Sequence, residues 1–126
     1  MREIRVLLVE ENLVLSKTIK DILQGLPYCR VIDEARNGWE ALGKACVFKP
    51  DVVLMDAELE EPYGLQVASW LSSYLPGVRT VLLLEDTDED YRAAATFSGA
   101  YAYIRKEEIA DALAPLIRGV LAVEPS

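Results

Sequence analysis

The chain has 126 residues, 52% of them hydrophobic, and carries a formal net charge of −8 at pH 7. This length and composition suit one folded domain with a hydrophobic core rather than a disordered segment. The negative charge argues against nucleic-acid binding by this domain, and no apolar run approaches the ~20 residues that a membrane span needs.

The sequence contains no histidine, and its two cysteines, Cys29 and Cys46, do not form a CxxC pair. Histidine-based acid–base catalysis, histidine metal ligands and a phosphohistidine role are therefore excluded. Since both cysteines lie in apolar stretches, we expect buried free thiols in a reducing cytoplasm. The first apolar run is too short, and is followed too soon by acids, for a signal peptide, which agrees with a cytoplasmic location.

Apolar runs alternate with helical patterns along the chain. Five runs predict strands, at residues 4–9, 30–35, 51–56, 79–86 and 101–106. The remaining periodic segments predict five helices, at residues 13–26, 37–48, 64–75, 88–100 and 107–122. Pro115 lies inside the last helical pattern, so we expect either a kink there or a late helix start near Asp111.

This strict alternation predicts an α/β fold, with a five-stranded parallel sheet, right-handed crossovers and helices on both faces. The first, third and fourth strands are almost continuously apolar, as expected at the buried centre of such a sheet. We predict one domain over residues 1–122, followed by a linker or tail at 123–126. Trp39 and Trp70 are interpreted as packing residues.

Charged side chains follow or end three of the predicted strands. Glu10 and Glu11 follow the first, Asp56 ends the third and Lys106 ends the fifth. Ligands of open parallel sheets bind beyond the carboxyl ends of the strands. Because crowded carboxylates repel one another, positive charge is expected among them, from Lys106 and from an oxygen-bound Mg²⁺. Alternatively, the two glutamates are ordinary solvated residues at a strand end.

Three stretches, LLVEEN, PDVVLMD followed by Gly64, and GAYAYIRK, carry a family pattern together with the element order. In these features the chain resembles the CheY-like receiver domain of bacterial two-component response regulators, and most closely the NarL/LuxR-type receivers that precede a helix-turn-helix output domain. The resemblance covers essentially the whole chain. It implies a flavodoxin-like, doubly wound (βα)5 fold with strand order 2-1-3-4-5.

The resemblance also implies a function in signal transduction rather than catalysis. A sensor histidine kinase would transfer a phosphoryl group from its phosphohistidine to Asp56. Glu10, Glu11, Asp56 and the backbone carbonyl of Glu58 would hold Mg²⁺, and Lys106 would pair with the phosphoryl group. A DNA-binding output domain beyond this chain is an expected partner, whereas this domain itself is expected to bind neither nucleic acid nor membrane.

The sequence departs from the family pattern at the site. Both acids of the pair are glutamates where aspartates are usual, and Leu84 and Glu85 stand where the family has Thr or Ser followed by a small residue. Glu60 replaces the usual proline, with Pro62 two places later, and the segment at 85–90 adds further acids. These departures predict an impaired phosphorylation switch. The alternative is a receiver-like interaction module that works without phosphorylation.

The resemblance further implies that the fourth helix, fifth strand and fifth helix form the communication face. We expect docking or homodimerisation through this face, with Tyr101 and Tyr103 in the contact. Tyr103 matches an aromatic residue that changes rotamer in many family members, or else it is a half-buried strand tyrosine. An enzyme is the least favoured hypothesis, because the chain has neither a GxGxxG nor a P-loop pattern.

Overall fold

The computed structural model of the protein describes residues 3–60, 62–85 and 89–122. The predicted tail at 123–126 and residues 86–88 of the acidic segment lie outside the described residues. Strands and helices alternate throughout the described part. In chain order they are β1 (Ile4–Val9), α1 (Leu13–Gln24), β2 (Cys29–Ala35), α2 (Gly38–Phe48), β3 (Val52–Asp56), α3 (Gly64–Tyr74), β4 (Arg79–Leu84), α4 (Glu89–Phe97), β5 (Ala102–Arg105) and α5 (Ile109–Ala122).

The strands form one parallel sheet in the order β2-β1-β3-β4-β5. This arrangement confirms the predicted flavodoxin-like fold and its strand order. The chain reverses its winding direction between β1 and β3, so the switch point lies where these two neighbours end. Glu10 follows β1 and Asp56 ends β3, and the fold therefore brings both carboxylates to the same edge of the sheet.

The central strands send alternate side chains to opposite faces of the sheet, and each face has its own apolar cluster. Leu7 and Met55 belong to the cluster that packs with α2, α3 and α4. Leu8 and Leu54 belong to the cluster that packs with α1 and α5. Because helices cover both faces, the central strands are buried along most of their length, which explains their almost continuously apolar sequence.

The helix ends follow local sequence signals. The side chain of Asn12 accepts hydrogen bonds from the first backbone N–H groups of α1, and that of Asn37 accepts one from the backbone N–H of Glu40 in α2. The second helix ends at Lys49, whose φ of 46° is left-handed, and Pro50 prevents its continuation. These local signals set where α1 and α2 begin and where α2 ends.

The last helix was expected either to kink at Pro115 or to start late, near Asp111. It begins at Ile109, after a 3₁₀ turn at Lys106–Glu108, and runs through Pro115. A late start near Asp111 was therefore wrong. Burial of Ile109 in the core holds the first turn in place, although Pro115 lacks the N–H group that would bond to the carbonyl of Asp111.

Two expected burials were also wrong. Cys46 is a free, exposed thiol, whereas Cys29 is half-buried. Trp39 is 70% exposed, so it is not a packing residue, whereas Trp70 is 37% exposed and its ring contacts that of Tyr74. The reason is the orientation of α2, which buries Gly38, Ala41 and Ala45, so that the side chains at positions 39 and 46 point outwards. None of the helices in the described part combines the length and apolar character that crossing a bilayer requires.

Candidate phosphoacceptor site

Glu10 lies buried directly after β1, with only 4% of its surface exposed. Its Oε2 accepts a hydrogen bond of 3.2 Å from the backbone N–H of Asn12, the residue that caps α1. Within the described part of the chain, Oε1 is buried without a hydrogen-bond partner, although the Lys106 ammonium lies 3.7 Å away. An unsatisfied carboxylate oxygen at such depth is costly unless a cation or a proton compensates it.

Asp56 ends β3 and is 6% exposed. Its Oδ1 accepts a hydrogen bond of 2.9 Å from the backbone N–H of Glu58, and its Oδ2 accepts one of 3.0 Å from Lys106 Nζ. Gly64 allows α3 to start against this strand end, because a Cβ there would lie 2.3 Å from the carbonyl oxygen of Asp56. The carboxylate is thus held at both oxygens, on a rigid strand rather than a loop.

Lys106 follows β5, and its Nζ forms ion pairs with Asp56 Oδ2 at 3.0 Å and with Glu10 Oε1 at 3.7 Å. Burial lowers its pKa, but the hydrogen bond to Asp56 and the charges of Asp56, Glu10 and Glu85 outweigh that effect and raise it. The pKa of Glu10 rises from 4.5 to about 7, first because the group is buried and second because Asp56 is negatively charged nearby. One ammonium therefore faces two carboxylates that compete for it.

Glu11 and Glu58 were also predicted as metal ligands, Glu11 through its side chain and Glu58 through its backbone carbonyl. The side chains of Glu11 and Glu58 are both exposed. No group of three or more His, Cys, Asp or Glu side chains comes close enough to bind a metal within residues 3–60, 62–85 and 89–122. The structure thus brings together Glu10, Asp56 and Lys106, but it does not add Glu11 to them as a third converging carboxylate.

The predicted switch positions lie at the end of β4 and in β5. The Leu84 side chain is fully buried in the apolar cluster under α2, α3 and α4, and Glu85 is exposed. Leu84 pairs with Arg105 across the sheet, one residue before Lys106. Tyr103 is partly exposed and lines a groove of about 310 Å³ together with Arg92 of α4 and residues of α5.

Tyr91 was missed by the sequence reasoning. Its hydroxyl donates a hydrogen bond of 3.4 Å to the carbonyl oxygen of Ala57, the residue that follows Asp56. The ring packs against the same apolar cluster as Leu84, so α4 is anchored to the end of β3 through this residue. A hydrogen bond between Tyr91 and a backbone carbonyl 34 positions away leaves no motif in the sequence. The only sequence signal is the position of Tyr91 near the start of α4.

These features define a parallel α/β domain with a buried aspartate that pairs with a lysine at the carboxyl edge of its sheet. Residues 6–118 match the response regulator receiver domain, and the chain belongs to that family. Receiver domains are signalling modules of two-component systems and are generally not enzymes. The recognition made from the sequence is therefore confirmed.

Individual relatives agree with this assignment. The transcriptional regulatory protein LnrK of Bacillus subtilis (strain 168) is 30% identical over 120 residues, which cover 95% of this chain and 53% of LnrK. The response regulator domain of Thermotoga maritima CheB superposes with a TM-score of 0.87 at 28% identity, covering 98% of this chain and all of that one.

A two-component response regulator of the LuxR family from Aurantimonas sp. SI85-9A1 reaches a TM-score of 0.88 over 95% of this chain and 86% of that one. Its 22% identity makes this a likeness of fold alone. The chain spans about half the length, or less, of the first curated relatives that it matches.

Proposed function

We propose that the domain acts in the cytoplasm and receives a phosphoryl group on Asp56 from the phosphohistidine of a sensor histidine kinase. The observation that carries the proposal is the contact of 3.0 Å between Lys106 Nζ and Asp56 Oδ2, next to the buried Glu10. This geometry supports the proposal, because a carboxylate oxygen at the end of β3 and a cation that follows β5 meet at one edge of the sheet. Phosphoryl transfer depends mainly on such positioning and charge neutralisation.

The reaction forms a bond between an Asp56 carboxylate oxygen and the phosphorus while the phosphorus–nitrogen bond to the kinase histidine breaks. The electron pair of that bond leaves with the imidazole. Lys106 offsets the negative charge that the phosphoryl group brings to a site already containing two carboxylates. The backbone N–H of Glu58 keeps the other Asp56 oxygen in place.

A divalent cation fits the residues present. The buried Glu10 Oε1 has no hydrogen-bond partner among the described residues, and Mg²⁺ is commonly bound by one or two carboxylates with water and phosphate oxygens. We propose Glu10 and Asp56 as the principal ligands, with Glu11 and the backbone carbonyl of Glu58 as outer contributors. When bound, Mg²⁺ would neutralise charge on the phosphoryl oxygens.

Titration calorimetry with MgCl₂ tests the ligand order. Weak binding is expected for the parent, and Glu10→Gln should abolish it because a buried charged ligand is lost. The exposed neighbour Glu11→Gln is the matched control and should weaken binding only modestly. Equal affinities of Glu10→Gln and the parent would show that the cation binds elsewhere.

We also propose that the switch following phosphorylation is impaired. Leu84 places a buried apolar side chain at the end of β4, where it cannot donate a hydrogen bond to a phosphoryl oxygen. Glu85 adds negative charge close enough to influence Lys106. Tyr91 holds α4 against the end of β3. Because Leu84 gives the phosphoryl group no hydrogen-bond donor at the end of β4, we expect phosphorylation of Asp56 to cause little rearrangement there.

The buried Leu84 also supports the second candidate, a receiver-like module that binds its partners without phosphorylation. In either case the proposed communication face comprises α4, β5 and α5, with the exposed Tyr101 and Tyr103. A DNA-binding output domain is the proposed effector. Tyr101→Glu should weaken docking of a partner to this face, and unchanged partner binding would argue against it.

Intact-mass spectrometry after incubation with acetyl phosphate and Mg²⁺ tests phosphorylation directly. A slow gain of one phosphoryl group is expected in the parent, and none in Asp56→Asn. No gain in the parent, even with a phosphorylated histidine kinase present, would favour the phosphorylation-independent module. A gain that persists in Asp56→Asn would overturn the assignment of the acceptor.

A further inference from the structure

Helix α2 exposes an apolar flank that the receiver site does not use. Trp39 is 70% and Val47 75% exposed, and the exposed Cys46 lies between them along the helix. Gly43 belongs to the same flank, since a Cβ there would meet nothing within 4 Å. At 100° per residue these four positions share one side of the helix, so they form a continuous stripe.

Helix α3 carries a second exposed apolar pair. The rings of Trp70 and Tyr74 contact each other, with centroids 4.8 Å apart, and Tyr74 is 67% exposed. The sequence of α3, from Gly64 to Tyr74, contains no charged residue. In a chain in which 27% of residues are charged, an entire helix without charge that exposes two large aromatic side chains is unusual.

The exposed apolar side chains of α2 and α3 lie next to each other on neighbouring helices. Lys44 forms ion pairs with Asp33 of β2 and with Glu40, which places Lys44 towards the edge strand. Trp39 and Cys46 therefore lie on the side of α2 towards α3, and Val47 points outwards beside them, next to Glu40. On α3, Ser72 lies against Gly99, so that side faces α4 and β5. The opposite side, with Trp70 and Tyr74, therefore faces α2.

Two contacts confirm that the helices are adjacent along their length. The N-terminus of α2 packs against the segment before α3, because a Cβ on Gly38 would lie 2.4 Å from the carbonyl oxygen of Pro62. At the other end, Tyr74 shares a groove of about 320 Å³ with Lys49 and Pro50, which follow α2. The apolar side chains thus form one surface, here called the neutral face, made of Trp39, Gly43, Cys46, Val47, Trp70 and Tyr74.

We propose that the neutral face binds the neutral face of a second copy of this chain, giving a two-fold symmetric dimer that does not depend on phosphorylation of Asp56. Two chains of charge −8 repel each other, so they associate best through a surface with little charge. The charged residues of α2, Glu40 and Lys44, pair with each other at 3.2 Å beside the face. Interface cores share this composition, being rich in aromatic residues and poor in charge.

The available area agrees with a weak dimer. Large aromatic side chains bury about 150–250 Å² each, so the exposed fractions on the neutral face present roughly 500 Å² of apolar surface per copy. Two copies together reach about 1,000 Å², the lower limit for a specific interface. In a symmetric contact each residue is used twice, and Gly43 lets the partner helix approach the backbone closely.

Sedimentation equilibrium of the chain, from about 5 to about 500 µM, tests the proposal at concentrations that bracket such an interface. A reversible monomer–dimer equilibrium in the micromolar range is expected. Val47→Glu should raise the dissociation constant at least about tenfold, because the symmetric interface contains the new charge twice. The matched control is Val14→Glu, the same change at a residue 78% exposed on α1, across the sheet, which should leave the equilibrium within about twofold.

The reactivity of the Cys46 thiol provides an independent measurement of dimerisation that requires no added label. Its reaction with a disulfide reagent should slow as the protein concentration rises through the dissociation constant, and this slowing should vanish in Val47→Glu. Cys29 supplies only a slow background, because burial raises the pKa of its thiol to about 11. A monomer at all concentrations would overturn the proposal, as would a dimer that Val47→Glu leaves intact and Tyr101→Glu dissociates. An unchanged dimer in Asp56→Asn is expected.

Discussion

The ends of β3 and β4 lie side by side at the carboxyl edge of the sheet, with Asp56 paired to Leu83 in the register. The end of β3 is polar and fully engaged, since both Asp56 oxygens accept hydrogen bonds and Lys106 lies against them. The end of β4 is apolar, and Leu84 is buried in the core. At one edge of the sheet, a strand end fixed by hydrogen bonds and an ion pair thus lies beside a strand end fixed by apolar packing alone.

This contrast has a physical basis. A carboxylate and an ammonium at short distance stabilise each other only if both stay in place, so the geometry around Asp56 is constrained from several elements. A strand-end side chain facing the apolar cluster is constrained only by volume and polarity, and leucine satisfies both better than threonine. Substitutions at the end of β3 should therefore change mainly the free energy of unfolding and its pH dependence. Substitutions at the end of β4 should change mainly the rate of phosphorylation.

Lys106→Met should have the largest effect on stability, because it removes the cation from between Glu10 and Asp56 while keeping the apolar stem. We expect a loss of about 3 kcal/mol at pH 8, the low end for breaking a buried pair, since Lys106 is partly exposed. Urea unfolding measures it. Lys17→Met, which breaks the exposed pair with Asp21, is the control and should cost less than about 0.5 kcal/mol. Equal losses of stability in Lys106→Met and Lys17→Met would mean that the pair at the end of β3 contributes no more than an exposed surface pair.

The raised pKa of Glu10 predicts a pH dependence. The folded state holds this proton up to about pH 7, whereas an unfolded glutamate releases it near 4.5. Between these values the folded state binds more protons, so stability falls as pH rises, by on the order of 3 kcal/mol in total. Stability curves from pH 5 to pH 8 should show this fall in the parent, and Glu10→Gln should flatten it. If the stability of Glu10→Gln falls with pH as steeply as that of the parent, the assignment of the proton to Glu10 is refuted.

The paired change Leu84→Thr with Glu85→Ala should make the end of β4 more like that of a responsive site. A hydroxyl donor to a charged acceptor is worth roughly 1.5–3 kcal/mol, so phosphoryl uptake by Asp56 should accelerate about tenfold or more. The new hydroxyl in the apolar cluster should cost about 1–3 kcal/mol of folding stability. Intact-mass time courses measure the rate, with Leu84→Val as the apolar control. Equal rates in parent and double variant would direct attention to the glutamate pair instead.

Tyr91→Phe should have the smallest effect, because the bond to the Ala57 carbonyl is long. We expect a loss of about 0.5–1 kcal/mol, with faster amide hydrogen exchange confined to α4. Tyr74→Phe removes the same hydroxyl from an exposed ring and should change neither quantity. Identical exchange in α4 of the parent and Tyr91→Phe would show that the hydroxyl does not anchor this helix.

Much of this molecule was readable from its sequence. The alternation of apolar strands and amphipathic helices determined the parallel sheet, because strands buried on both faces must be apolar throughout and crossover helices must join them. The periodic pattern predicted helices from residues 13 and 37, and in the structure Asn12 and Asn37 cap α1 and α2. The charged residues at the strand ends placed Glu10, Asp56 and Lys106 at one edge, since parallel strands all end on the same side.

Only the tertiary structure decided how these groups meet. Whether a glutamate beside a strand end turns inward depends on its side-chain rotamer and neighbours, and for this reason Glu10 is buried while the adjacent Glu11 is exposed. The same holds for Trp39 and Cys46, whose apolar sequence context suggested burial although α2 turns them outwards. Composition and periodicity determine which faces are apolar, but the packing of each helix against its neighbours decides which apolar side chains remain exposed to meet a partner.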